Sequence, residues 1–149
     1  MQKSQEKDGV VAADVAKQAD AAFRRFRIMI VDDSDDNARL FGILLRQMGH
    51  EVASTYNGEE GLELAKTFRP DIIFSDISMP LMDGLEFAAA LKADPATKDV
   101  ILIAHSGYGD QRHRDDAKAA GFDHYVVKSS DPAGLKTLLA SISKAKQTT

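Results

Sequence analysis

Cysteine is absent from this chain, and its absence excludes disulfide bridges, cysteine-ligated zinc and thiol catalysis. Positive charge is not in excess, since 19 Lys and Arg residues face 23 Asp and Glu residues, so no basic surface for nucleic acid is expected. No apolar run approaches membrane-spanning length, and the N-terminus lacks an apolar signal segment. We therefore expect a soluble cytoplasmic protein that binds neither nucleic acid nor membrane.

What is present is an alternation of apolar runs and helix-like segments from Arg27 onward, which indicates repeated βα units. Most of the runs are apolar on both faces, as in strands of a parallel sheet covered by helices, so we expect a doubly wound α/β fold. The second strand is more polar and is predicted at an edge of the sheet. The predicted strands are Ile28–Val31, Val52–Thr55, Asp71–Ser75, Val100–Ala104 and Tyr125–Val127.

Capping residues predict where the intervening helices begin and end. Ser34 or Asp35 caps a first helix that Gly49 ends, and Asp131 with Pro132 begins the last helix. The apolar residues at helical spacing in the first helix are Leu40, Ile43, Leu44 and Met48. The remaining helices are predicted in EEGLELAKTF, LEFAAALKA and DQRHRDDAKAA.

The alternation covers only part of the chain. We predict a domain at residues 27–145 and a tail at 146–149. Residues 1–26 are expected to form an extension or linker, although apolar residues at intervals of three or four leave a short helix open.

Charged residues directly follow three of the predicted strands. Asp32 and Asp33 follow the first strand, Asp76 the third and Lys128 the fifth. Any one of them alone is readily explained as a helix cap, a turn residue or a surface charge. Because the carboxyl ends of parallel strands meet at one edge, where open α/β sheets bind ligands, we expect one shared pocket.

Adjacent carboxylates repel each other, and a divalent cation such as Mg²⁺ or Mn²⁺ relieves that repulsion. Asp32, Asp33 and Asp76 offer part of the oxygen cage that such an ion needs. Asp76 can then attack a phosphoryl donor as a nucleophile, because a carboxylate needs no base to deprotonate it. Lys128 supplies positive charge, and the Ser106 hydroxyl supplies a hydrogen bond to the new phosphoryl oxygens.

Four segments with these residues resemble the receiver domain of two-component signalling, and the resemblance runs from about Arg27 to Ile142. It implies a flavodoxin-like sheet of five strands in the order 2-1-3-4-5. It also implies a histidine kinase or histidine phosphotransfer protein as phosphodonor and a downstream protein target. The four segments are VDDS at 31–34, DISMPLMDG at 76–84, AHSG at 104–107 and GFDHYVVK at 121–128.

The resemblance assigns each site residue a role. Asp76 is expected to be phosphorylated, with Asp33 as a direct metal ligand and Asp32 acting through water. The backbone carbonyl of Ser78 is expected as a further metal ligand. The switch pair is expected to be Ser106 and Tyr125, and Lys128 is expected to pair with the phosphoryl group.

The family usually has proline after this lysine, in a cis peptide bond, whereas Ser129 follows Lys128 here. A cis bond before a residue other than proline costs about 2.5 to 4 kcal/mol, so a trans bond is predicted. His105 is expected to be a packing residue.

Two other functions remain open. An aspartyl-phosphate phosphatase needs a second aspartate two positions after the nucleophile, where this chain has Ser78. A receiver-like scaffold that is never phosphorylated is the other alternative. A nucleotide-binding domain is not favoured, because neither of the glycine-rich motifs GxGxxG and GxxxxGK(S/T) occurs. With only SKAKQTT after the last helix, we expect a non-enzymatic regulator whose output passes through another protein.

Overall fold

The computed structural model describes residues 24–128 and 131–147. The strands are β1 (Arg27–Val31), β2 (Glu51–Thr55), β3 (Ile72–Ser75), β4 (Ile101–Ser106) and β5 (His124–Val127). The helices are α1 (Asp35–Gln47), α2 (Gly58–Phe68), α3 (Gly84–Ala93), α4 (Gln111–Ala120) and α5 (Pro132–Gln147). All of these elements except α5 lie within one compact unit, Arg25–Ser130.

The strands form one parallel sheet in the order β2-β1-β3-β4-β5, with β2 at an edge as predicted. This order confirms the flavodoxin-like α/β fold expected from the sequence. β1 and β3 are buried on both faces, because successive side chains point to opposite faces of the sheet and nearly all of them are apolar. One face packs with α2, α3 and α4 through residues that include Met29, Val31, Ile73, Leu102, Ala104, Ala65, Phe87 and Ala117.

Helix α1 forms where the sequence predicted it, but only part of its apolar pattern is buried. Leu40 and Ile43 are exposed and Leu44 and Met48 are half-buried, whereas Ala38, Gly42 and Leu45 are buried. Gly42 brings the helix close to the sheet, since a Cβ added there would already be in van der Waals contact with the Ile30 side chain, 3.7 Å away. Apolar spacing therefore predicted the helix correctly, yet two large apolar side chains lie in solvent.

Ser34 caps the first helix as predicted, and side-chain caps also begin the next three helices. Ser34, Asn57, Asp83 and Asp110 each accept a hydrogen bond from a backbone N–H in the first turn of the following helix. Each of the strands β1 to β4 thus leads into a helix whose first turn is capped by a side chain from the connecting loop. These connections form the edge of the sheet at which the charged residues lie.

Two predictions concern segments outside the described residues. The N-terminal extension lies there except for its last residues, and so does the peptide bond between Lys128 and Ser129. The division of the chain at residues 26 and 145 stays a prediction. Within the described ranges, no helix is both long and apolar enough to cross a bilayer.

Candidate functional site

Three carboxylates meet at the carboxyl edge of the sheet. Asp32 and Asp33 follow β1 directly and Asp76 follows β3, and one oxygen from each lies within 4.8 Å of the others. Asp32 and Asp76 are only 3% and 9% exposed, whereas Asp33 faces solvent. Parallel pairing of β1 with β3 creates this cluster, because it aligns Val31 with Ser75 and so brings the next residues together.

Backbone hydrogen bonds fix the two buried carboxylates. The Asp76 N–H donates to the Val31 carbonyl at 2.8 Å, which extends the sheet pairing into the site. The Ser34 N–H donates to Asp32 Oδ1 at 2.9 Å, and the Ser78 N–H donates to Asp76 Oδ1 at 3.3 Å. Each carboxylate keeps its second oxygen for another partner.

That partner is a single ammonium group. Lys128 Nζ lies 3.0 Å from Asp32 Oδ2 and 3.1 Å from Asp76 Oδ2, so one cation contacts both buried carboxylates. The Lys128 N–H donates to the Ser106 carbonyl at 2.7 Å, which fixes the base of the side chain beside β4. With all groups ionised, three carboxylates around one ammonium leave the pocket negative.

Burial and the neighbouring charges together shift the pKa values of Asp76 and Lys128. Burial raises the pKa of Asp76 above its usual value, and the nearby charge of Asp32 adds to the rise, while Lys128 opposes it only in part. Burial lowers the pKa of Lys128, but the hydrogen bond to Asp32 and the charges of Asp76 and Asp32 outweigh burial and raise it overall. The ammonium is therefore held charged, whereas ionised Asp76 lacks full compensation.

The turn after Asp76 depends on a glycine that the sequence marked only as a helix boundary. The Gly84 N–H donates to the Ile77 carbonyl at 2.7 Å. A Cβ at position 84 would lie 2.3 Å from the Asp76 carbonyl oxygen, so no larger residue fits there without displacing the backbone of the site. The Ser75 hydroxyl donates to the same carbonyl at 2.8 Å. Only the pair Asp83–Gly84 at a predicted helix start could have indicated this contact.

Ser106 and Tyr125 both contact the backbone of Tyr108 in the β4–α4 loop. The Tyr108 N–H donates to Ser106 Oγ at 3.2 Å, and the Tyr125 hydroxyl donates to the Tyr108 carbonyl. Ser106 is 2% exposed, and the Arg114 guanidinium lies 4.8 Å above the Tyr125 ring. Among the described residues, Ser106 Oγ makes this contact rather than one with Asp76. The two predicted switch residues are thus linked through Tyr108.

Two histidines, one in β4 and one in α4, lie outside the acidic cluster. His105 stacks on Phe41 with ring centroids 4.2 Å apart, and burial lowers its pKa to about 4, with Lys128 adding to the effect. It is the packing residue that the sequence predicted. His113 stacks on Tyr108 at 4.8 Å and approaches Asp110, the cap of α4. Both imidazoles therefore support the loop and the strand end around the site.

The pocket as a whole supplies carboxylate oxygen donors and one ammonium. Oxygen ligands from carboxylates are those that Mg²⁺ prefers in proteins, so this donor set fits that ion. The carboxylates lie close enough to share one cation, and Lys128 contacts two of them without neutralising all three. The arrangement can bind a divalent cation and phosphoryl oxygens at the same edge.

Comparison with known proteins agrees with this geometry. The chain is 33% identical over 119 residues to the polar-differentiation response regulator DivK of Brucella anthropi, covering 79% of this chain and 97% of that protein. It is 32% identical over 127 residues to a gliding motility regulatory protein of Myxococcus xanthus, covering 85% of this chain and 16% of that longer protein.

Solved structures show the same likeness. The chemotaxis protein CheY4 of Vibrio cholerae superimposes with a TM-score of 0.74 at 28% identity, covering 80% of this chain and 99% of CheY4. A receiver domain of a histidine kinase from Syntrophus aciditrophicus gives 0.73 at 27% identity, covering 80% and 91%. A family model described as the response regulator receiver domain matches residues 28–140, the segment that carries both the sheet and the acidic pocket. The chain therefore belongs to the response regulator receiver domain family of two-component signalling.

Proposed function

We propose that Asp76 accepts a phosphoryl group from a phosphohistidine and that its phosphorylation changes a protein-binding surface. The observation that carries this proposal is the buried Asp76 carboxylate, which has an oxygen within 4.8 Å of oxygens of Asp32 and Asp33 and whose Oδ2 lies 3.1 Å from Lys128 Nζ. A histidine kinase or a histidine phosphotransfer protein is the phosphodonor that fits a member of this family. We further propose that the protein acts in the cytoplasm and that residues 27–145 form the functional domain.

The residues that would hold Mg²⁺ or Mn²⁺ are Asp33 and Asp76 directly, Asp32 through water, and the backbone carbonyl of Ser78. When bound, the cation neutralises negative charge on the carboxylates and on the incoming phosphoryl oxygens. The exposed position of Asp33 leaves that carboxylate accessible from solvent. The buried position of Asp32 and its bond from the Ser34 N–H suit a residue that orients water.

In the transfer step, an oxygen of Asp76 attacks phosphorus while the P–N bond to the donor histidine breaks. The electron pair of that bond stays on the histidine nitrogen, which leaves as neutral imidazole when the other ring nitrogen carries a proton. The product is an aspartyl phosphate. Lys128 Nζ, 3.1 Å from Asp76 Oδ2, turns its N–H donors to the phosphoryl oxygens, where it stabilises the charge that develops in transfer.

The readout proceeds from Ser106 to Tyr125. A phosphoryl group on Asp76 offers Ser106 Oγ a new acceptor, so that the hydroxyl turns from Tyr108 toward Asp76. Tyr108 then shifts with its loop, and its carbonyl holds the Tyr125 hydroxyl. The result is a population shift between two packings around α4 and β5, which a downstream protein can distinguish.

Turnover as a phosphatase is not part of this proposal. Position 78 carries an exposed hydroxyl, and its N–H already donates to Asp76. A serine at that position has no carboxylate to act as general acid and base, so the phosphoryl group stays on Asp76 until water removes it. The protein therefore acts as a regulator that changes only its own phosphorylation state.

Intact-mass measurement with acetyl phosphate and Mg²⁺ tests the proposal. We expect one phosphoryl group on the wild type and none on Asp76→Asn. Asp83→Asn is the matched control, because Asp83 lies in the same loop and asparagine also caps a helix well, so this variant keeps the α3 cap and accepts phosphate normally. Phosphorylation of Asp76→Asn, or an unmodified wild type, contradicts the proposal.

A further inference from the structure

The loop between β3 and α3 holds a leucine in a backbone conformation that leucine rarely adopts. Leu81 has φ of 70°, and among the described residues only Arg69 is another non-glycine residue with positive φ. Arg69 ends α2, where a left-handed residue commonly terminates a helix. Leu81 caps no helix, and a side chain beyond Cα is crowded in this conformation. Leu81 follows Pro80, and a turn that needs positive φ after proline normally carries glycine or asparagine there, so leucine is an unusual choice at this position.

The side chain of Leu81 is also directed away from the protein. It is 95% exposed, more than any other large apolar side chain among the described residues. The methionines on either side of it hold the loop in place: Met79 is buried, and a Cβ at Gly58 would lie 2.8 Å from Met82 Sδ. Leu81 is thus presented to solvent from a loop that is fixed on both sides.

Leu81 belongs to an apolar rim around the acidic pocket. Tyr56, Leu81 and Tyr108 are exposed large apolar side chains, and they lie in the loops that follow β2, β3 and β4. These loops share the carboxyl edge with Asp76. Strain concentrates at functional sites, and an exposed apolar side chain there stabilises a complex rather than the free protein.

We propose that Leu81 is a specificity-determining residue that inserts into an apolar depression on the protein phosphodonor. This inference rests on the proposed phosphotransfer. A donor histidine must bring its phosphorus into contact with Asp76, so the donor's surface necessarily covers the loop that runs from Asp76 to Asp83. A downstream target has no such requirement, because it reads the surface around α4 and β5. A small acyl phosphate needs only the pocket and leaves Leu81 in solvent.

Three variants at position 81 separate these contributions. Leu81→Asn and Leu81→Gly both suit a left-handed backbone and remove the apolar side chain, whereas Leu81→Met keeps an apolar side chain of similar size. The donors are the autophosphorylated histidine kinases and phosphotransfer proteins of the source organism, screened first against wild type. Each variant is then phosphorylated by the donor so found and by acetyl phosphate, and its thermal unfolding is recorded to verify the fold.

We expect Leu81→Asn and Leu81→Gly to raise the KM for transfer from the protein donor about tenfold or more, the value of burying one leucine side chain. Leu81→Met is expected to transfer like wild type, and all three are expected to react with acetyl phosphate at the wild-type rate. Normal transfer from the protein donor to Leu81→Asn overturns the inference, and so does an equal loss with both kinds of donor. Failure of wild type with every donor instead overturns the proposed function.

Discussion

Charged residues lie at both edges of the sheet, the amino edge and the carboxyl edge, but their charges are compensated differently. At the amino edge, where the strands begin, Arg27 Nη1 lies 2.8 Å from Glu51 Oε2, and its other nitrogens donate to the Phe68 carbonyl. The Arg27 N–H donates to Asp71 Oδ2 at 2.8 Å. Arg27 and Glu51 are both nearly half exposed, so water shares in compensating their charges.

At a second cluster on the amino edge, around Asp123, the carboxylate is likewise compensated by neighbouring donors. Asp123, just before β5, accepts from the Leu102 N–H of β4 at 2.9 Å through its Oδ2. In the same way Asp71, just before β3, accepts from the Arg27 N–H of β1. Lys92 Nζ lies 3.6 Å from Asp123 and donates to the carbonyls of Lys98 and Val100. Among the described residues of these two clusters, each cation therefore contacts only one carboxylate.

At the carboxyl edge, by contrast, two buried carboxylates share one ammonium and a third lies beside them. Carboxylates at the amino edge stabilise strand pairing, whereas those at the carboxyl edge are left with excess negative charge. Incomplete compensation of buried like charges is a feature of sites that bind something further. The comparison therefore locates function at the edge whose charges the folded chain does not balance.

The largest expected effect is on metal affinity. Asp33→Asn is expected to lower Mg²⁺ affinity by more than about 100-fold, since loss of a direct ligand exceeds the effect of losing a residue that only supports a ligand. Isothermal titration calorimetry measures the Mg²⁺ affinity, because a chain without tryptophan offers no tryptophan fluorescence to follow binding. Asp71→Asn at the amino edge keeps an oxygen that accepts the Arg27 N–H and is expected to leave Mg²⁺ binding unchanged. Equal losses from both variants would remove the distinction between the edges.

The second effect is on the rate of phosphorylation, which is expected to depend on Lys128 at the carboxyl edge and not on Lys92 at the amino edge. Lys128→Met removes the ammonium that contacts Asp32 and Asp76, and phosphorylation by acetyl phosphate is expected to slow about 100-fold. Lys92→Met at the amino edge is expected to leave the rate unchanged while lowering the temperature of unfolding, because two carbonyls lose a donor. Rates are measured by the disappearance of unmodified protein in intact-mass spectra. A slower rate in Lys92→Met contradicts the assignment.

The third effect is on the free energy of unfolding, which two carboxylate-to-amide substitutions are expected to change in opposite directions. Asp76→Asn is expected to stabilise the metal-free protein at pH 7 by about 1 to 3 kcal/mol, because it removes a buried charge that Lys128 compensates only in part and that Asp32 repels. Glu51→Gln breaks a half-exposed ion pair and is expected to destabilise it by up to about 1 kcal/mol. Urea unfolding in the presence of a chelator measures both. Destabilisation by Asp76→Asn would contradict the account of excess charge.

The raised pKa of Asp76 gives the stability difference a pH dependence. The folded protein binds this proton more tightly than the unfolded chain, whose carboxyl titrates near 3.8, so the favourable contribution is present below that pH. It is lost as the pH rises through the raised pKa of the folded state. Metal-free wild type is therefore expected to lose stability relative to Asp76→Asn over this interval, and a constant difference between the two proteins would refute the assignment.

The smallest effect concerns the lifetime of the phosphorylated state. Tyr108→Ala removes the ring that stacks on His113 beside the pocket, and water is expected to reach the phosphoryl group more easily. The half-life is expected to shorten by less than about tenfold, equivalent to about 1.4 kcal/mol in the barrier. His113→Ala leaves the phenol in place and is expected to have a smaller effect. A half-life equal to that of wild type in Tyr108→Ala contradicts this role.

Much of the fold was predictable because its signals are local. Apolar runs determine the strands, and caps such as Ser34, Asp83 and Asp110 determine where the helices begin. The adjacency of Asp32, Asp33 and Asp76 was also predictable, because parallel strands bring their carboxyl ends to one edge. These inferences need only the order and period of residues along the chain.

Features that depend on three-dimensional packing were not predictable. The apolar spacing in α1 includes Leu40 and Ile43, yet both are exposed, while Leu45 is buried together with the small residues Ala38 and Gly42. The strained backbone of Leu81 has no sequence signal either, because leucine does not favour that conformation. Neither feature can be inferred from periodicity, since each is set by what neighbouring elements leave room for.

The central claim is that Asp76 itself forms a bond to phosphorus when a divalent cation is present. Borohydride converts an aspartyl phosphate to homoserine, and peptide mass spectrometry then locates the modified position. After incubation with acetyl phosphate and Mg²⁺, we expect homoserine at position 76 alone, and none when a chelator replaces Mg²⁺. Homoserine at another aspartate, or none at position 76 despite ample donor and Mg²⁺, would contradict the account.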